Sequence, residues 1–349
     1  RRFMKVSIGT NIKEGPWGGG NLFAKNLSEF LASNGHEVRT DLKDDDIDLI
    51  LLTEPRRTSE SSAFTHIDVQ NYIKYVKDDS LVVHRVNECD ERKNTNYVNK
   101  YLIQANKTAD YTVFVSKWLR DLYVSQGIGT KEKHVIYAGA SEKIFNDSGF
   151  IPWNKKSKLK IVTHHWGANW NKGFAIYSKL DELLYDKDWE SKIDFTYIGN
   201  LPKGFKFKNA KVVKPLAGSS LSAKIKENHL YVTGSLFEPS GNHHIEASQC
   251  GLPIMFVNSG GTPEYCRDFG IEIDESNLES KLSEIMLNYD SYISKVKNYP
   301  FNSNKMCFEY ESLFLEMFSK KNQILSDRIL KLNGNLFERY LFSYKRNKK

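Results

Sequence analysis

The stretch Phe237–Tyr265 reads FEPSGNHHIEASQCGLPIMFVNSGGTPEY, and the rest of the chain arranges itself around it. Two carboxylates, Glu238 and Glu246, stand eight positions apart. The apolar run Leu230–Thr233 before them predicts a strand, and Ile254–Val257 after them predicts another. Ile245–Cys250 predicts a helix between the two, with Ser240 placed to cap it. Glu238 then falls on the loop after a strand, and Glu246 about one turn inside the next helix. Both face the same end of a sheet, with a helix N-terminus between them. Free backbone N–H groups around Gly241, Asn242 and His243 favour a phosphate there. A carboxylate accepts hydrogen bonds from neighbouring sugar hydroxyls. One loop therefore suits a ligand that combines ribose, phosphate and a second sugar.

Outward from this loop, β-rich runs alternate with helical patterns in both directions. In the first half the strands are expected at Met4–Ile8, Asp48–Leu52, Leu81–Arg85, Thr112–Ser116 and Val135–Tyr137. Amphipathic segments at Asn21–Ser33, Tyr97–Lys107 and Trp118–Ser125 separate them. The segment Asn146–Lys158 (NDSGFIPWNKKSK) is polar, holds Gly149 and Pro152, and reads as a linker. A second alternation follows, with strands at Leu159–Thr163, Phe195–Ile198, Val212–Val213 and Gly270–Ile273 beside the two already named. Its other helices are expected at Phe174–Leu184 and Leu221–Lys226, and helices at Leu278–Tyr289 and Met306–Phe318 close the pattern. Strand–helix–strand order with short links implies parallel sheets wrapped by helices. The expected fold is α/β: two Rossmann-like parallel-sheet domains, 1–150 and 151–300, facing across a cleft, with helices in 301–349 that pack partly back on the first domain. Open α/β sheets bind ligands at the carboxyl ends of their strands.

The bulk numbers agree with a globular chain of about two domains and exclude a fibre, a disordered tail and a disulfide-stapled mini-domain. At 349 residues the chain holds about two domains. Apolar residues make up 40% and aromatics 13%, which is too much core-forming material for a disordered protein. The formal charge of +7 is mild, and both signs are interspersed, so a dedicated nucleic-acid surface is not expected. No run approaches the roughly 18 apolar residues of a membrane span, and the first residues lack the apolar core of a secretion signal. The four cysteines, Cys89, Cys250, Cys266 and Cys307, form no CxxC pair and are read as reduced and mostly buried in a cytoplasmic protein.

Other groups join the central loop. Gly15-Pro16-Trp17-Gly18-Gly19-Gly20 follows the first strand and opens the first helix, where glycines admit a ligand close to the backbone. It is neither a GxGxxG fingerprint nor a Walker loop. Trp166 and Trp170 read either as core residues or as a surface that packs on the acceptor, with the core reading preferred, Asp44-Asp45-Asp46 as a solvated loop, and His243-His244 as a pair without a third metal ligand.

Glu238 to Glu246, the Gly251-Leu252-Pro253 turn and Gly260-Gly261-Thr262-Pro263-Glu264 together resemble the donor site of glycosyltransferase family 4, retaining sugar transferases of the GT-B fold. Weaker echoes run from about residue 4 to 320: the Gly18–Gly20 loop, ADYTVFVSKWL at 109–119, VIYAGA at 135–140, and Lys172-Gly173. The resemblance implies that Glu246 receives the nucleotide ribose, Glu238 lies by the donor sugar, and Lys172 neutralises the diphosphate. It further implies that Gly18, Gly19 and Gly20 close over the diphosphate and that His84 lies against the donor sugar, and it places Ser240, Gly241, Asn242, His243 and Gly261 around the donor. The family carries an Arg about five residues before the Lys. Gly167 stands there instead, which leaves Asn169, His165 or Arg85 for its role. No metal or other cofactor is expected. The partners implied are a nucleotide-sugar donor and a glycan or lipid-linked glycan acceptor, with no nucleic acid. The aromatic and basic tail, Leu336–Lys349, reads either as a helix packed on the surface or as a peripheral membrane contact. Competing readings are a GT-B epimerase or phosphorylase and a non-catalytic nucleotide- or glycan-binding module. Isomerisation of donor without acceptor marks the first, and binding without turnover marks the last.

Overall fold

The computed structural model describes every residue except Arg1, Arg2, Pro16, Lys131, Ile329, Lys348 and Lys349, and the side chain of Asn347. The proline of the glycine run and the final two lysines of the tail thus lie outside the described residues. Two six-stranded sheets carry the fold. The first holds β1 (Lys5–Ile8), β2 (Glu37–Arg39), β3 (Leu49–Leu52), β4 (Leu81–Val86), β5 (Tyr111–Phe114) and β6 (Glu132–Val135), in the order β2-β1-β3-β4-β5-β6. The second holds β7 (Leu159–His165), β8 (Ile193–Gly199), β9 (Lys211–Val213), β10 (Leu230–Thr233), β11 (Ile254–Val257) and β12 (Gly270–Ile273), in the order β12-β11-β10-β7-β8-β9. Every pairing is parallel. Sheets covered by helices on both faces need strands that are apolar throughout. The central strand β3, Leu49-Ile50-Leu51-Leu52, is such a strand, and each of its residues is buried. The direction in which successive strands are laid across the sheet reverses between β1 and β3 in one sheet and between β7 and β10 in the other. Ligands settle at such switch points.

Side chains alternate along β4, and this alternation positions one wall of the cleft. Leu81 and Val83 face a core that includes Phe23 of the helix Gly19–Ser33 and Tyr310 of the helix Ser303–Ser319. Val82 faces the opposite core, with Val69 and Tyr72 of the helix His66–Tyr75. The late helix Ser303–Ser319 thus completes the first domain's core through Met306, Cys307, Tyr310 and Phe314. A buried pair, His36 with Glu311 at 2.9 Å, ties it to the first domain.

Several elements depart from the pattern reading. The strand β2 was not expected, because Glu37-Val38-Arg39 is a short, charged edge strand of the kind that resists edge pairing. The helix His66–Tyr75 was also not expected: its sequence is polar and β-branched, yet Thr65 and Asp68 form a reciprocal capping box at its start. The strand expected at Val135–Tyr137 lies at Glu132–Val135, an exposed edge where polar residues hide the signal. The acidic run at 44–46 is not simply solvated. Asp44 and Asp46 pair with Lys5 at 3.0 and 2.6 Å, and Asp45 pairs with Arg346. That last pair helps fasten the helix Leu336–Asn347 to the first domain, together with Phe342 stacked on Tyr75 at 5.0 Å. All four cysteines are buried and unpaired. Among the described residues, no helix is long and apolar enough to cross a membrane.

Candidate active site

The second sheet's switch point sets the carboxyl ends of β7 and β10 side by side. The chain leaves β10 through Gly234 and Ser235 and turns at Phe237, whose φ is +52°. Glu238 follows, 4% exposed. One of its oxygens accepts a hydrogen bond from Lys172 Nζ at 2.9 Å, and the other lies 3.5 Å from Arg92 Nε. Burial pushes the Glu238 carboxyl up, but Arg92 and Lys172 outweigh it and bring it down to about 2. Lys172 rises on a short 3-10 turn, Trp170–Lys172, just past β7. Its own burial moves its ammonium below the ordinary lysine value, partly opposed by Glu238. The loop is therefore a buried ion pair that is pre-formed and reaches across to the first domain.

Glu246 sits one turn inside the helix Asn242–Gln249 and lies 2.7 Å from His164 Nε2. His164 is oriented in turn by the Tyr231 hydroxyl, 3.0 Å from its Nδ1. Ser240 does not cap this helix. The cap is Gly241, with φ at +78°, and a Cβ there would meet His244 Cε1 at 2.4 Å. Only glycine fits such a position at low cost, and the turn thereby leaves the helix's first N–H groups uncovered. The His243 side chain turns inward to Thr233 Oγ1 at 2.8 Å, so only its backbone is offered to a ligand. Burial, with the neighbouring His165 and His244, keeps the His243 imidazole well below its usual value and neutral. Gly261 donates its N–H to Glu238 O at 2.8 Å and supports the loop from behind. Glu264 accepts the backbone N–H groups of Lys117 and Trp118 at 2.8 and 3.0 Å, joining the two domains at a helix start.

Across the cleft, Gly18 caps the helix Gly19–Ser33 without a side-chain bond. Gly19 approaches the second domain so closely that a Cβ would lie 2.8 Å from Asn242 Nδ2. The glycine loop and the Gly241–Asn242 turn therefore meet. His84 does not reach the cleft. It is fully buried on the far face of β4, 3.0 Å from Asn106 Nδ2, and burial lowers its imidazole to about 3. The alternation of the strand explains the error: Arg85 points toward the cleft where His84 was expected. Arg85, Asn87, Thr10 and Thr53 line a cavity of about 360 Å³ with Gly18–Gly20.

The residues proposed to replace the cation at Gly167 also separate. Asn169 is exposed and uses its carbonyl to accept Lys172 N at 3.1 Å. His165 is buried against Tyr177 and held neutral by burial and by Lys172, so it supplies no charge. The cation nearest Glu238 after Lys172 is Arg92, which sequence reasoning passed over. It belongs to the short helix Asp90–Lys93, and the charged run Glu88–Lys93 just past β4 was the available signal. Trp166 and Trp170 are not core residues. Each is 50% exposed, because the loop after β7 runs over the top of the sheet, and the Trp170 ring packs on Phe174 and Phe205.

No family model and no curated protein matches the sequence. Solved structures do. HepE from Anabaena, in complex with UDP and glucose, superposes with a TM-score of 0.66 at 11% identity, covering 90% of this chain and all of that one. A glycosyltransferase from Rickettsia africae gives 0.65 at 12% identity, covering 91% and 99%. WaaG, a glycosyltransferase of lipopolysaccharide biosynthesis, gives 0.62 at 12% identity, covering 89% and 99%. The chain has the GT-B fold. At these identities the likeness is one of architecture. The GT-B cleft is bounded here by Lys172, Glu238 and Glu246 on one edge and by the glycine loop, Arg85 and Arg92 on the other.

Proposed function

We propose that this protein is a family 4-like glycosyltransferase that moves a sugar from a nucleoside-diphosphate donor to a glycan or glycolipid acceptor, with retention at the anomeric carbon. One observation carries the reading. In a GT-B cleft, the Lys172–Glu238 pair and the His164–Glu246 pair flank an uncovered helix N-terminus that faces a glycine loop. HepE has been solved with UDP and with UDP-glucose, which makes a UDP-sugar the first donor to test.

The chemistry follows from these groups. His164 takes one Glu246 oxygen and leaves the other for a ribose hydroxyl. The diphosphate lies over the N–H groups that follow Gly241, within reach of Lys172 and the glycine loop. As the bond from the anomeric carbon to the phosphate oxygen breaks, negative charge grows on the leaving group. Fixed donors and an ammonium in a dry cleft stabilise it. Glu238 faces the positive charge growing on the sugar ring. The acceptor oxygen attacks from the face that the diphosphate leaves, and its proton passes to the departing phosphate oxygen. No carboxylate has been assigned to a covalent intermediate, which a double displacement would require. Contact between Gly19 and Asn242 keeps water from the donor.

A cytoplasmic enzyme in peripheral contact with a membrane completes the proposal. Leu336, Phe337, Tyr340 and Tyr344 are at least 50% exposed. Their spacing puts them on one side of the helix Leu336–Asn347, away from Phe342, which docks on Tyr75. An aromatic face with Lys345 beside it suits an anionic bilayer. Sedimentation with anionic liposomes, with and without residues 335–349, tests this, and equal binding overturns it.

The main test is a thermal-shift screen with UDP, GDP, dTDP, ADP and their sugars, followed by transfer assays that read the product anomer. A ligand at a hundredfold its dissociation constant adds about 2.7 kcal/mol of stability. If no nucleoside diphosphate raises the unfolding midpoint, the donor site is misassigned.

A further inference from the structure

The cavity at the first sheet's edge has an unusual charge arrangement. Each of its carboxylates is matched. Glu60 holds Lys13 at 2.9 Å, Glu54 holds Arg56 through two bonds of 2.8 and 2.7 Å, and Glu88 holds Lys93 at 3.0 Å. Arg92 is shared between Glu88 and Glu238. Arg85 is the exception: no carboxylate of the described residues pairs with it. It is 5% exposed, its guanidinium rests on the Phe23 ring at 3.8 Å, and its Nε has no hydrogen-bond partner.

A buried guanidinium without a counter-ion is costly to hold. This one stands at the carboxyl end of β4, beside the switch point between β1 and β3, where such sheets take ligands. Asn87 follows two residues later, so it projects from the same side of the extended chain. The Asn87 side chain lines the same cavity. The start of the helix Gly19–Ser33 opens onto the same cavity and adds backbone N–H groups. All the lining residues lie between Thr10 and Lys93, whereas Lys172, Glu238 and Glu246 belong to the other domain.

We propose that this cavity binds the acceptor substrate through an anionic group, a carboxylate or a phosphate, received by Arg85. The assignment to the acceptor rests on the reading of the second domain as the donor side. An arginine fork matches both anions with two parallel hydrogen bonds. A neutral acceptor leaves the buried cation unpaired and is rejected, because an unmet buried polar group weighs more than a lost contact.

The test uses the full chain in calorimetric titrations. The probes are glucuronate against glucose and glycerol 3-phosphate against glycerol, each with and without saturating UDP. At least one anion is expected to bind ten times more tightly than its neutral counterpart, and to do so equally with UDP present. Arg85→Met is expected to abolish that preference. Asn87→Ala, outside the core, is expected to weaken the anion three- to tenfold, and it keeps the proposal testable if Arg85→Met does not fold. Equal binding of neutral and anionic probes overturns the proposal, as does a preference that survives in Arg85→Met. Competition between anion and UDP also overturns it, since Arg85 would then serve the donor diphosphate. Failure of UDP itself to bind strikes the donor reading instead, and the anion preference is read separately.

Discussion

The two edges of the cleft differ in how their charges are settled. On the second sheet the buried polar groups answer one another before any ligand arrives: Glu238 between Lys172 and Arg92, and Glu246 hydrogen-bonded to His164. On the first sheet the carboxylates are equally well matched, yet Arg85 is left over. A closed network resists the loss of any member, because each removal strands a buried charge. An unmatched cation behaves in the opposite way and draws its partner from solution. The donor edge is thus a pre-formed bed, and the facing edge is an incomplete one that the ligand finishes.

The strongest way to break this contrast is Glu238→Ala. It leaves Lys172 buried without its counter-ion, so stability falls by about 3–5 kcal/mol in urea denaturation. Turnover falls at least about a hundredfold, since roughly 2.7 kcal/mol of transition-state stabilisation goes with it. Arg92→Ala alone and in combination supplies the check. A double-mutant cycle between Arg92 and Glu238 is expected to show coupling of about 1 kcal/mol or more. Strict additivity breaks the idea that the network spans the cleft.

Acidification tests the donor edge next, although buried His84 on the first sheet, held down to about 3, adds to the same fall. Burial holds His165 and His243 well below the usual value, and His244 down to about 4, all three on the donor edge. In the unfolded chain these imidazoles take protons near pH 6.5, while the folded protein refuses them. Stability therefore falls as the pH drops from about 6.5 toward 4, at about 1.4 kcal/mol per pH unit for each such histidine. Glu238 acts in a lower window. Its depressed carboxyl contributes stability above about 4.5, and that contribution is lost toward 2. Urea midpoints measured between pH 7 and 5 test the histidine part, and His244→Phe is expected to flatten the slope. A flat profile in the parent protein would mean that these rings are hydrated.

Glu246→Ala sharpens the comparison with a smaller effect. Nucleotide affinity is expected to fall about tenfold, near 1.4 kcal/mol, with turnover at saturating donor changed less. His164 loses its acceptor but keeps Tyr231, so the protein stays folded. Unchanged nucleotide affinity removes Glu246 from the donor site.

Much of this was legible in the primary structure, for identifiable reasons. Leu230–Thr233 and Ile254–Val257 emerge with their expected ends, because central parallel strands are continuous apolar runs between turn residues. Glu238, Glu246 and Lys172 converge because one strand–loop–helix unit and one neighbouring strand end carry them. What failed to show was geometry of single-residue resolution. His84 and Arg85 are adjacent in sequence, and only the pleat decides which one meets the cleft. Ser240 is a better cap than Gly241 by residue preference, but the turn needs a positive φ. Arg92 lies far from Glu238 along the chain, and only the approach of the two domains reveals their pairing.

The smallest test concerns backbone strain, and here too the edges differ. Both hold a non-glycine residue in the left-handed region: Asn94 with φ at +53° beside Arg92, and Phe237 with φ at +52° beside Glu238. Asparagine visits this region readily, whereas an aromatic residue does so at a cost of about 1 kcal/mol or more. Phe237 is also 42% exposed, so its ring gains little from burial in return. Its N–H is held by Ser259 Oγ at 2.8 Å, which fixes the peptide that aims Glu238. Strain is thus stored on the donor edge and already relieved on the other. Phe237→Asn is expected to raise stability by about 0.5 kcal/mol, and Asn94→Phe to lower it by about 1 kcal/mol. If Phe237→Asn instead destabilises while nucleotide binding is kept, the ring contributes packing that outweighs the backbone. If it stabilises while turnover drops, the strained turn is what holds Glu238 at the sugar.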